Sequence, residues 1–138
     1  MIRIVDSSVF IKWFIGEQGH EAASAWLDDE TTFMAPGLLV CEIANIAWKK
    51  VRRGDIDAED GYRIVFRCAG GRIELIPDGA LSLTAWRISR DLDHPAYDCF
   101  FLAAAEVADA PLLTADKRLC AAVANTDYAP YVRDIEAG

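Results

Sequence analysis

The chain has 138 residues, 53% of them hydrophobic and 26% charged, with a formal net charge of −8 at pH 7. Its length suits a single domain, residues 1–138, with a sizeable core, and its composition excludes the apolar-poor, charge-rich regime of chains that stay unfolded. No stretch approaches the roughly 18 uncharged apolar residues of a membrane span, and the opening Met1-Ile-Arg-Ile-Val-Asp6 is too short for a secretory h-region, so the expected location is the cytoplasm.

The β-branched run Ile2 to Val5 predicts a strand ending at Asp6, after which Val9, Phe10, Trp13 and Phe14 follow helical spacing. A second helix is expected from about Glu21 to Leu27, then a brief strand over Thr32 to Ala35, closed by Pro36 and Gly37. The longest helix spans about Leu38 to Arg53 and stops at Gly54. Asp57 is placed to cap a further helix running to about Cys68, and Gly70-Gly71 ends it before a strand from Arg72 to Ile76. This helical hairpin interrupts the strand–helix alternation. A helix over about Leu81 to Asp91 leads to His94-Pro95, and the next, about Ala96 to Val107, is apolar on nearly every side and so expected to be buried on more than one face. Pro111 to Thr114 predicts another strand, Asp116 caps a helix to about Ala124, and Tyr131 to Ile135 predicts an edge strand. Strands alternating with helices imply right-handed crossovers and a parallel sheet covered on both faces, a three-layer α/β fold.

Cys41, Cys68, Cys99 and Cys120 are widely spaced without a C-x-x-C pair, and only His20 and His94 could join them as ligands. They fit neither a zinc site nor a disulfide scaffold, and read as reduced, mostly buried small hydrophobes. The acidic balance, taken alone, argues against nucleic acid. Against that, a cation-binding carboxylate cluster is negative by design, and Lys49, Lys50, Arg52, Arg53, Arg63 and Arg67 fall close together. Helix ends attract Lys and Arg for other reasons, so this grouping is compatible with RNA without requiring it.

Ligands of open parallel sheets bind outside the carboxyl ends of the strands, and Asp6 and Asp116 follow predicted strand ends. Each also precedes a helix, where an Asp serves as an N-cap. Glu42 lies between Leu38 and Ile46 on one helix face; it either needs a partner there or reaches solvent, pairing with Lys49. Asp98 opens the most apolar helix, where burying a charge requires a cation or hydrogen bonds, although helix amides supply part of that. If the four acids converge, their repulsion disfavours the empty ionised site. Oxygen ligands without Cys or His then suit Mg²⁺, or Mn²⁺, and metal-assisted hydrolysis of a phosphodiester.

The segments Ile-Val-Asp6-Ser-Ser8-Val, Glu42-Ile-Ala-Asn45, His94-Pro-Ala-Tyr97-Asp98 with Phe101-Leu-Ala-Ala-Ala-Glu106, and Leu113-Thr114-Ala-Asp116-Lys-Arg-Leu119 together resemble the PIN-domain nucleases, most closely the VapC-type ribonuclease toxins. The resemblance covers essentially the whole chain. It implies a sheet of about five parallel strands, with Asp6, Glu42, Asp98 and Asp116 as catalytic, metal-binding acids. Ser8 and Thr114 would be hydroxyls beside them and Asn45 a supporting group. It further implies Mg²⁺-dependent hydrolysis of RNA to 5′-phosphate and 3′-hydroxyl ends, a cognate antitoxin that blocks the site from a groove, and a homodimer or toxin–antitoxin hetero-oligomer. Trp13, Phe14 and Trp26 are candidates for either contact, or for the core. His94 and Tyr97 read as packed or hydrogen-bonded residues. Cys99 stands where the family commonly has a smaller residue, and Ser7 directly follows the first acid.

Two other readings compete. A phospho-accepting receiver domain wants paired acids after the first strand and a lone Asp after the third, whereas here one Asp is followed by two serines and the third strand ends Ile76-Pro-Asp78-Gly. A catalytically inactive PIN-like scaffold or RNA-binding module has no physical need for four mutually repelling acids.

Overall fold

The computed structural model describes residues 1–137. Five strands, β1 (Ile2–Val5), β2 (Thr32–Pro36), β3 (Glu74–Ile76), β4 (Leu112–Thr114) and β5 (Val132–Asp134), form one sheet in the order β3-β2-β1-β4-β5. All four pairings are parallel, with Ile4 of β1 opposite Met34 on one side and Leu112 on the other. The helices are α1 (Ser7–Phe10), α2 (His20–Ser24), α3 (Leu38–Arg52), α4 (Ala58–Ala69), α5 (Asp78–Leu92), α6 (Ala96–Ala108) and α7 (Lys117–Val123). Right-handed crossovers put the helices joining β1, β2 and β3 on one face and those joining β3, β4 and β5 on the other, because the chain reverses its direction across the sheet after β3. The expected three-layer α/β/α architecture is therefore present.

The core lies against β1 and β4, where Ile4, Val5, Leu112, Leu113 and Thr114 are fully buried. Parallel strands covered on both faces require such apolar runs. Helix α6 is packed between α5 and strands β1, β2 and β4, and it buries Cys99 and Phe101 through Ala105. Its lack of a polar face follows from that position. The predicted hairpin is α3 and α4; at Gly61 a β-carbon would stand 2.8 Å from the Val51 side chain, so glycine permits this close approach.

Several boundaries differ from expectation. The helix after β1 breaks at once into α1 and a 3-10 turn over Ile11–Trp13. Helix α2 ends at Ser24, and Leu27 is exposed rather than helical. Helix α5 begins at Asp78, not Leu81, because Pro77 supplies the extended entry and Asp78 an acid in the first turn. The Asp78 carboxylate also accepts from the Leu38 amide at 3.0 Å, joining the starts of α5 and α3. The cysteines are free; Cys68 and Cys99 are buried, which pushes both thiols up to about 11, but Cys41 is exposed. Among the described residues no helix is long and apolar enough to cross a membrane.

Candidate active site

The strand order leaves a switch point between β1 and β4, where successive connections leave the sheet in opposite directions. Asp6 follows β1 there and Thr114 ends β4. Asp6 is 6% exposed and Thr114 is fully enclosed, and no other polar or charged residue is buried to that degree among the described residues. Asp6 caps α1, its Oδ1 accepting from the Val9 amide at 3.2 Å and from the Ser8 hydroxyl at 2.6 Å, while its Oδ2 accepts from the Thr114 hydroxyl. Ser8 in turn accepts from the Ala115 amide at 2.9 Å, and Thr114 from the Asp116 amide at 3.0 Å. The two hydroxyls thus knit the ends of β1 and β4 together and orient Asp6.

Those three donors do not offset the burial. Desolvation pushes the Asp6 carboxyl up to about 6, opposed by Ser8, Thr114 and Val9 and reinforced by the nearby charge of Asp116. Glu42 shows the same imbalance. Burial pushes it up to about 7, the Ser7 side chain offsets part of this, and repulsion from Asp6 and Asp98 adds to it. Glu42 flanks the fully buried Leu39–Ile43–Ala47 stripe of α3, and it forms no ion pair with Lys49 or any other cation among the described residues. The alternative in which Glu42 escapes to Lys49 is thereby corrected.

Asp98 sits in the first turn of α6, its carboxylate 2.8 Å from His94 Nε2. Asp116 caps α7 through the Arg118 and Leu119 amides, as expected for an N-cap, while its charge reaches Asp6. The four acids therefore form a chain of electrostatic neighbours, Asp98–Glu42–Asp6–Asp116. Lys117, adjacent in sequence, is drawn away to Asp134 at 2.6 Å and Glu136 at 3.4 Å. Among the described residues no three His, Cys, Asp or Glu side chains are gathered closely enough to hold an ion as they stand. The donor chemistry nonetheless fits a hard divalent cation, since carboxylate oxygens without a Lys or Arg partner, Asp6 and Glu42 among them with raised proton affinity, are what such an ion relieves.

Asn45 is exposed on α3. Tyr97, in the first turn of α6, is also exposed and not packed as expected. The sequence assigned Ser7 no role beyond directly following the first acid, yet its side chain neighbours Glu42.

A separate cavity of about 310 Å³ lies between α1 and the start of β3, lined by Phe10, Trp13, Phe14, Phe33, Arg67 and Arg72 among others, and none of the four acids. Trp13 packs edge-on against Phe33 and donates from Nε1 to the Ala23 carbonyl at 3.0 Å, and Trp26 lies under Arg3. Both are partly buried against the core, whereas Phe14 is 41% exposed. Of the basic cluster, Arg63 is paired with Glu59 and Asp60, and Lys50 with Glu17.

The fold is shared with VapC20 of Mycobacterium tuberculosis, described as a sarcin-ricin loop cleaving toxin, at TM-score 0.68 and 16% identity over 87% of this chain and 94% of that one. A toxin–antitoxin complex from Klebsiella pneumoniae gives 0.67 and 15% identity over 96% and 97%. PAE2754 from Pyrobaculum aerophilum gives 0.63 and 20% identity over 96% and 83%. No curated protein sequence matches. A family model described as PIN domain matches residues 3–125. With most of its length covered by that match, the chain belongs to the PIN-domain family.

Proposed function

We propose that this protein is a divalent-cation-dependent endoribonuclease, the toxin of a toxin–antitoxin pair, with Asp6, Glu42, Asp98 and Asp116 as its catalytic acids. The observation that carries the reading is the buried Asp6 at the switch point, neighboured by further acids and by no Lys or Arg partner. Membership of the PIN family supports it, as does likeness of fold to VapC20 and to VapBC2 of Rickettsia felis, a complex bound to a DNA fragment from its promoter.

Asp6, Glu42, Asp98 and Asp116 would hold Mg²⁺, or Mn²⁺. Once bound, such an ion lowers the pKa of water and stabilises charge developing at phosphorus. Ser8 and Thr114 keep the Asp6 oxygens oriented through the hydrogen bonds already in place. No side chain here is a nucleophile; the acids bind and orient, and the RNA backbone is the group attacked. Arg67 and Arg72 line the separate cavity opposite Asp28 and Asp29, and its apolar wall, with Phe14 exposed, offers an antitoxin segment a docking groove. Recognition of the RNA itself rests on loop shape more than on the protein's net charge.

The test is cleavage of a labelled mixed RNA pool by antitoxin-free protein, with and without Mg²⁺, beside folded Asp6→Asn and Asp98→Asn. Cutting that requires Mg²⁺ and disappears in both variants supports the reading. Wild-type protein that neither cuts RNA nor binds Mg²⁺ would leave an inactive scaffold instead.

A further inference from the structure

We propose that His94 is a positioning residue that holds the Asp98 carboxylate for its cation, which rests on the reading of Asp98 as a cation-binding acid. The geometry starts from the link between α5 and α6. Helix α5 ends on Asp93 in the left-handed region at φ 50°, and the His94 amide donates to the Ser89 carbonyl at 3.1 Å. Pro95 then enters α6 with φ −52° and ψ 135°. The Cys99 thiol lies 3.9 Å from the His94 carbonyl oxygen, tying the link to α6 as well. The backbone of His94 is thus held from both helices.

The side chain is held too, at 9% exposed, while that of Asp98 is 36% exposed. Its Nε2 lies 2.8 Å from Asp98 Oδ2. An ionised carboxylate only accepts, so Nε2 carries the hydrogen and donates.

The identity of the N-cap explains why Asp98 needs this donor. Asp98 is the third residue of α6, the position from which an acid ordinarily reaches back to the N-cap amide. The N-cap is Pro95, which has no N–H. The local backbone therefore offers Asp98 nothing in that direction, and His94 supplies the missing donor from a partly buried, doubly tied position. Oδ2 is occupied, and Oδ1 accepts no hydrogen bond among the described residues. A carboxylate held by one oxygen presents the other in a fixed place, which is how outer partners of metal ligands raise affinity.

The experiment measures Mn²⁺ affinity by titration calorimetry, kcat and KM for RNA cleavage, and thermal unfolding, on wild type, His94→Ala, His94→Gln and His94→Asn. The glutamine amide nitrogen overlays histidine Nε2, whereas asparagine carries the same group one bond shorter. His94→Ala and His94→Asn are expected to bind Mn²⁺ about 10- to 100-fold more weakly and to lose kcat with KM little changed, and His94→Gln to recover most of both. Should His94→Ala not fold, the contrast between glutamine and asparagine still decides. Equal Mn²⁺ affinity in those two folded variants overturns the positioning role, with the acids left as the cation site. Absence of Mn²⁺ binding by wild type itself is the different failure, and it removes the reading of the acids.

Discussion

The two ends of α6 each carry an acid, and the molecule treats them differently. At the C-terminal end Glu106 pairs with Arg87, whose guanidinium also approaches the Tyr128 hydroxyl, which donates to Asp91 at 2.6 Å. That corner is a hydrogen-bonded polar network, with Arg87 as its cation, joining α5, α6 and the segment before β5. At the N-terminal end Asp98 has only the His94 imidazole, and the neighbouring Glu42 and Asp6 have no cation partner. At the C-terminal end the fold gives Glu106 an arginine. At the carboxyl edge of the sheet it leaves like charges close together, a cost that stability alone does not explain.

The largest effect that could break this comparison is on activity. Asp6→Asn and Asp98→Asn should each lower RNA cleavage at least ~100-fold, the upper range for removing an outer partner of a metal ligand, while Arg87→Met leaves cleavage at the wild-type level. Comparable losses in all three would erase the distinction between the two ends.

A second prediction concerns the metal-free protein. The folded Asp6 carboxyl titrates at about 6 against 3.8 unfolded, so the native state binds the proton more tightly. Its contribution to stability is present below pH 3.8 and lost as pH rises through 6. Asp6→Asn should therefore be more stable than wild type at pH 8 without metal, by on the order of 1–3 kcal/mol in denaturant unfolding, with the gap closing towards pH 4. Asparagine still serves as an N-cap. A variant less stable than wild type at pH 8 would show that the Asp6 hydrogen bonds outweigh its burial.

Thr114→Val tests the hydroxyl bridge between β1 and β4. It leaves the Asp6 Oδ2 and the Asp116 amide without their partner and should cost about 1–3 kcal/mol in denaturant unfolding. An unchanged midpoint would mean that water replaces the hydroxyl. The smallest effect is expected at the Glu106 end, where Arg87→Met removes an ion pair with a half-exposed arginine and should cost less than about 1 kcal/mol.

Much of this arrangement was legible in the residues. The apolar runs, the Gly and Pro punctuation and the Asp57 and Asp116 caps placed most elements, because these are local signals acting within a few residues. The exceptions are helix boundaries: α5 starts at Asp78, whose carboxylate also ties it to Leu38 forty residues away, and α2 stops at Ser24. Asp6 and Asp116 were readable as caps and as candidate site residues at once, and the structure shows both as caps.

The sequence by itself determined the α/β alternation, the all-round apolar character of α6 and the acids available at strand and helix ends, since periodicity and capping are properties of neighbouring residues. Only the tertiary structure decided that Glu42 faces Asp6 and Asp98 instead of Lys49, that Lys117 turns to β5, and that His94 meets Asp98 across a proline without an amide hydrogen. Those outcomes depend on burial and on distances between elements far apart in the chain, which no local pattern encodes.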